Sequence, residues 1–279
     1  MIKYSQMQNE IRRYPVQNPL LKRYIKFFWE IQAENMQLNH KQIPVRNIDL
    51  KFNLSETPHF VCLNGNEHLL EDVYFSGLRD HFSNAYIKIN GKVDMIGVCF
   101  LPEGLFPFLK IPVSEFKNQL LGASEIGFNL ANTISERLKE APDVAAKLNI
   151  LENELALLLD PVNHTPENFR QLFNTLKHSD SSLQISEFCQ RCNIGTRKLE
   201  RSYNKYVGLA AKTYGTLNRF QNSINQLLNK DYTKLSDIAY GNGYFDQMHF
   251  IKEFKRFAGN TPKRFVHQND SMLQIGKLT

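Results

Sequence analysis

Apolar and polar positions follow two different periods along this chain, and the change falls near Ser114. Before it, short apolar runs alternate with turn-forming residues. Tyr24–Gln32 (YIKFFWEIQ) is rich in aromatic and β-branched residues, and Ile48–Leu54 (IDLKFNL) alternates with period two, as a half-buried strand does. His59–Leu63, Val73–Phe75 and Tyr86–Ile89 read as further short strands. Asn90–Gly91 is a hairpin signal, with Val93–Leu101 (VDMIGVCFL) as the returning strand. Pro102, Gly104, Pro107 and Pro112 then break the chain. Short strands separated by turns predict a barrel or a sandwich and not a βαβ fold.

From Ser114 the pattern turns helical. Ser114–Leu121 fits a short helix. Asp143–Leu159 is amphipathic, with Val144, Leu148, Leu151, Leu155 and Leu158–Leu159 on one side, Pro142 before it and Asp160–Pro161 at its end. Asp160–Thr165 (DPVNHT) is the best linker, and from Pro166 onward only helices are predicted. The expected fold class is α+β. Residues 1–160 form a β-rich barrel or sandwich-like domain with a helical end, for sensing or dimerisation; residues 165–279 form an all-α domain.

The helical half repeats itself. Ile185, Ser186, Glu187 and Cys189 lie fifty residues before Leu235, Ser236, Asp237 and Ala239; Leu199, Tyr203 and Gly208 lie fifty-one before Phe250, Phe254 and Gly259. Two copies are too few for a solenoid. Each unit has an N-cap candidate (Ser186, Ser236), an acidic first turn, a small residue, a turn at Asn193 or Gly243, an amphipathic second helix and a closing glycine. That order is a helix-turn-helix. With Leu199, Tyr203 and Val207 inward, Thr196, Arg197, Glu200, Arg201 and Asn204 fall on the flanks and far side of the first such helix. With Phe250, Phe254 and Phe257 inward, the second offers Gln247, Met248, His249, Ile251, Lys252 and Lys255. Arg and Lys can bond guanine, Asn and Gln adenine, and an apolar side chain can cover a thymine methyl. Lys198, Lys205, Lys255 and Lys263 are candidates for phosphate contacts.

Charge supports this. From Thr165 onward there are 17 Lys+Arg and 9 Asp+Glu, a net of +8; the remainder holds 17 basic and 19 acidic residues, a net of −2. A basic back half suits a polyanion. The length of 279 residues suggests two domains, and 42% hydrophobic residues can build cores. No apolar run approaches the ~20 residues of a membrane helix, and MIKYSQMQNEIRRYP lacks a secretory pattern, so a cytoplasmic location is expected. The Cys189–Cys192 pair has C-x2-C spacing without partners, which favours two small buried residues over zinc.

The stretch Ile238–Phe265 (IAYGNGYFDQMHFIKEFKRFAGNTPKRF) resembles the signature of AraC/XylS-type transcription regulators, and SEFCQRCNIGTRKLERSYNKYVG resembles their first unit. The likeness covers Phe169–His267. It departs where Gly195 replaces the usual Ser or Thr cap, where Ala211 stands for a frequent proline, and at Gly241 and Asn242. More faintly, RYPVQNPLLKRYIKFFWEIQ, FSGLRDHF and IGVCFLPEGLFPFLKIPVSEF resemble the β-rich regulatory domain of one AraC-type subgroup. The resemblance implies double-stranded DNA as a partner, read by two helices in successive major grooves and joined by a central helix near Ala211–Asn225. It also implies RNA polymerase as a partner, with an unidentified small-molecule effector and a homodimer as further possibilities, and no membrane.

No phosphate-binding loop, H-E-x-x-H or G-x-S-x-G occurs. No catalytic residue, metal site or cofactor is therefore expected. His40, His59, His68 and His81 are irregularly spaced and read as surface or hydrogen-bonded histidines. Trp29 with Phe27 and Phe28 fits plain core better than a pocket. Two alternatives stay open: an enzyme fused to a DNA-binding module, as in repair methyltransferases, and a DNA-binding protein whose front half only dimerises.

Overall fold

The computed structural model describes residues 11–41, 43–63, 65–83, 85–159, 165–178, 185–229 and 231–267. The first half is an antiparallel sheet of β1 (Ile11–Tyr14), β2 (Ile25–Lys41), β3 (Asp49–Asn53), β4 (His59–Leu63), β5 (Asn66–Leu69), β6 (Val73–Ser76), β7 (Tyr86–Phe100) and β8 (Leu120–Gly122). Its order is β1-β2-β7-β3-β6-β8, with β4 and β5 added beside the first part of β7. β7 is the spine. β2 runs along one edge of it, while β3 and β4 share the other.

That spine corrects the expected hairpin at Asn90–Gly91. β7 passes straight through, pairing Asn90 with Gln37 and Gly91 with Met36. Gly91 has φ 144°, and a Cβ there would lie 2.8 Å from Thr57 Oγ1. The register of β2 slips nearby, between Ala33 and Met36. Asn-Gly here marks a bulge and a close approach inside a strand. The expected helix at Ser114–Leu121 is also corrected: a 3-10 turn over Val113–Phe116 leads into β8.

β3 is buried on both faces, not half-buried. Leu50 and Phe52 join the large core with Phe28, Phe75 and Val98. Asp49, Lys51 and Asn53 face the other way, towards a second cluster holding Trp29, Tyr74 and Cys99. The sheet curls over this second face. His59 on β4 brings Nδ1 to 3.5 Å from the Tyr74 hydroxyl on β6, although those strands share no ladder.

Three helices complete the first half: α1 (Phe106–Leu109), α2 (Ala131–Glu140) and α3 (Val144–Leu158). Asp143 caps α3 by accepting the Ala146 N–H at 2.8 Å. Leu151 and Leu155 are buried as the apolar period required. So is Lys147, whose ammonium reaches Asp94 at 3.1 Å and Glu30 at 3.5 Å and ties α3 to β2 and β7.

The second half holds α4 (Glu167–His178), α5 (Ile185–Arg191), α6 (Thr196–Tyr206), α7 (Ala211–Asn229), α8 (Leu235–Gly241), α9 (Gln247–Ala258) and α10 (Pro262–His267). The two units are α5–α6 and α8–α9. Their turns depend on left-handed backbone, at φ 48° for Asn193 and 72° for Gly243. Ser236 is not a cap: α8 starts at Leu235, and the Asp237 carboxylate accepts the Lys234 N–H at 2.9 Å. Ser186 likewise lies within α5. Cys189 and Ala239 are buried where helices meet, but Cys192 is exposed, against expectation. Most of the expected linker, residues 160–164, lies outside the described residues.

The halves are in contact. Gly208 closes the first unit at φ 79°, and a Cβ there would sit 2.7 Å from both Leu78 Cδ2 and the Val113 carbonyl. Gly259 closes the second at φ 71°, where a Cβ would sit 2.7 Å from the Phe82 ring. One loop, residues 77–83, therefore touches both units. It is braced by Asn118 N–H donating to the Leu78 carbonyl at 2.7 Å and by Asp80 beside Lys117 at 3.3 Å. Thr165 donates to the Glu103 carbonyl, and Gln221 to the Pro44 carbonyl, across the same boundary.

Candidate nucleic-acid interface

The second helix of each unit is built by one buried stripe. Leu199 and Tyr203 on α6, Val207 at its C-cap, and Phe250, Phe254 and Phe257 on α9 are all at 0% exposure. Burying such side chains contributes roughly 1.5–3 kcal/mol each, so the rotation of both helices is firmly set. Their starts differ. Gly195 precedes α6 with no side-chain cap, whereas Asp246 accepts the His249 N–H at 2.6 Å.

The opposite faces carry most of the expected residues. On α6, Thr196, Arg197, Arg201 and Asn204 are exposed, as is Lys198. Glu200 is half-buried and accepts the Ala211 N–H at 3.4 Å, which binds it to the start of α7. On α9, Gln247, Met248, Lys252 and Lys255 are exposed, and Lys263 is exposed on α10. Arg197, Arg201, Lys252 and Lys255 form no ion pair among the described residues. Ile251 is half-buried against the core. His249 accepts the Phe245 N–H on Nδ1 at 3.3 Å and brings Nε2 to 3.8 Å from Glu253, so its ring braces the first turn of α9. Lys205 turns away from this face and lies 4.7 Å from the Phe106 ring in the first half.

Several residues of this surface escaped the sequence reading. Arg219 on α7 forms a forked pair with Glu253 on α9, at 2.9 and 3.2 Å, and lies 4.7 Å from the Tyr244 ring. This largely buried pair fixes α9 against the central helix. Phe245 is 86% exposed just ahead of the α9 cap, and Met248 and Tyr240 are exposed as well. The aromatic pair Tyr244–Phe245 was the available signal, since only one of two neighbours can enter the core. The central helix has 19 residues, about 28 Å at 1.5 Å per residue. That length suits holding two helices close to one DNA turn apart.

Two copies of a short first helix, a left-handed corner and a second helix with a basic outer face define a double helix-turn-helix protein. Comparison with known proteins agrees. Residues 188–268 match the family described as "Helix-turn-helix domain", and residues 16–122 match "Domain of unknown function (DUF6597)". The Msm operon regulatory protein of Streptococcus mutans is 27% identical over 121 residues, 40% of this chain and 43% of that one; the match thus spans less than half of that relative. Among solved structures, the apo form of a ToxT variant from Vibrio cholerae aligns at TM-score 0.45 and 10% identity, over 86% of this chain and 97% of that one. ToxT from Vibrio cholerae O395 aligns at 0.43 and 9%, over 93% and 98%.

No helix among the described residues is long and apolar enough to cross a membrane.

Proposed function

We propose that this protein is a sequence-specific regulator of transcription that binds double-stranded DNA through α6 and α9, one in each of two successive major grooves. The observation that carries this is the matched pair of outward faces, Arg197, Arg201 and Asn204 on one helix and Gln247, Met248, Lys252 and Lys255 on the other. Arg201 lies midway between buried Leu199 and Tyr203, and Lys252 midway between buried Phe250 and Phe254. Both face the groove floor, where a good contact discriminates bases by ~1–3 kcal/mol. Thr196, Glu200, His249 and Ile251 border these contacts, and Met248 suits a thymine methyl. Lys198 and Lys263 set register on phosphates. Residues 165–279 carry DNA binding, and residues 1–160 control it, with RNA polymerase as the protein partner.

Selection of duplexes from a random pool by the full chain tests this. One recovered motif with two recognised segments is expected. If ~6 phosphates are neutralised, affinity falls ~10³-fold between 50 and 200 mM salt. Lys252→Ala and Arg201→Ala relax the preferred sequence, whereas Lys263→Ala weakens all sequences evenly. A flat salt response, or a preference altered by Lys263→Ala alone, would contradict the assignment.

A further inference from the structure

The face of β3 turned away from the main core carries charge in a buried place. Asp49 and Lys51 are 8% and 6% exposed. Across the ladders, Asp49 stands opposite Cys99 and Ser76, and Lys51 opposite Gly97 and Tyr74. Trp29 on β2 pairs with the same Gly97, where a Cβ would fall 2.3 Å from the indole. The ring therefore lies across the glycine, in the row that contains Lys51. His59 enters from β4 and Arg79 from the loop after β6, both buried.

The polar atoms of this cluster are poorly matched to one another. Trp29 Nε1, Asp49 Oδ1, His59 Nε2 and Arg79 Nε form no hydrogen bond of good geometry. The Lys51 ammonium has neither ion pair nor hydrogen bond among the described residues, and its contact is the Tyr74 ring at 5.5 Å. The Arg79 guanidinium has no ion pair among them either. Burial pushes the Asp49 carboxyl up, towards its neutral form, against the weaker pull of Lys51 and of the nearby Cys99 and Trp29. Burial also pushes the Lys51 ammonium down. Lys51 and Arg79 thus share this buried place with Asp49, and burial works against the charge of all three. Buried charge without a partner is strongly unfavourable, and proteins retain such groups where a ligand completes them. Phe27, Ile31 and Met95 of the same cluster supply apolar walls.

We propose that this cluster binds a small organic anion, a carboxylate or a phosphate ester, with Lys51 and Arg79 holding its charge. Trp29 Nε1, His59 Nε2 and Asp49 Oδ1 meet its remaining polar groups, and Trp29 packs on its carbon skeleton. This inference stands apart from DNA binding and can fail without it.

The chain has one tryptophan, so its emission reports on this site alone. The full chain is titrated with citrate, pyruvate and glucose 6-phosphate at constant ionic strength, with glucose as the neutral control, and its thermal unfolding is followed beside Trp29 emission. At least one anion is expected to change the emission saturably and raise the unfolding midpoint, while glucose does neither. Whether the carboxylates or the phosphate ester act identifies the anion. Lys51→Met and Arg79→Gln each weaken that response about 30-fold or more. Lys51→Met also raises the midpoint of the ligand-free chain, because it removes a buried amine that has no hydrogen-bond partner among the described residues. Silence of all three anions, an equal response to glucose, or a Lys51→Met chain that keeps the response or unfolds earlier than its parent would overturn the proposal.

Discussion

Asn193 and Gly243 occupy equivalent corners at φ 48° and 72°, and they differ in what a side chain costs there. Gly243→Val forces a β-branched residue into left-handed backbone at ~1–3 kcal/mol. Asn193 already carries a side chain in that region, so Asn193→Val loses less. Chemical denaturation of both variants checks this, and a lower midpoint is expected for Gly243→Val. His59 offers a second test. Burial, with help from the Lys51 charge, lowers its pKa to about 4. The folded ring stays neutral where the unfolded ring, near 6.5, takes a proton. Stability is therefore unaffected above pH 6.5 and falls as pH drops from 6.5 towards 4, by at most about 3 kcal/mol. His59→Gln lacks this component, and the difference between the two pH profiles isolates it from the opposite slope of Asp49.

Elements show where sequence reasoning works. Whereas the central helix α7 is expected only from the family resemblance, the strands β3, β4 and β6, the first half of β2, and the helices α3, α5, α6, α8 and α9 announce themselves through period and punctuation. β5 does not, because its residues NEHL are all exposed and show no apolar alternation. Asn90–Gly91 divides β7 in the sequence pattern, since a turn and a bulge demand the same freedom of backbone. β3 hides the most. In IDLKFNL, Asp49 and Lys51 sit where a half-buried strand shows polar residues to water, and no local pattern tells that face from a charged interior. The recognition helices are legible because their buried stripes are large aliphatic or aromatic side chains at helical spacing. Their attachment is not, since Arg219 and Glu253 lie 34 residues apart and meet only in space. Glu253→Gln breaks this forked pair and leaves the Arg219 charge poorly matched. We expect a loss of about 2–4 kcal/mol in the C-terminal half, and weaker DNA binding, from denaturation and binding titrations.

At the scale of the molecule, the charge asymmetry and the doubled motif motivate the proposed division of labour, but they do not tell how the parts are joined. Part of that joining is the loop over residues 77–83, where Leu78 meets the end of one unit and Phe82 the end of the other. Gly208 and Gly259 are equivalent positions of the repeat, so the loop grips both units by the same feature. Neither unit can then turn without disturbing its twin, and the angular phase between the two recognition helices is held at one value. DNA twists by roughly 35° for each base pair, so inserting or deleting a single pair between the two recognised segments swings one segment out of reach. Binding of duplexes with spacers altered by one base pair should therefore fall more steeply than binding of duplexes with one mismatched base. The protein in this view is a gauge of distance and rotation along the duplex as much as a reader of its bases.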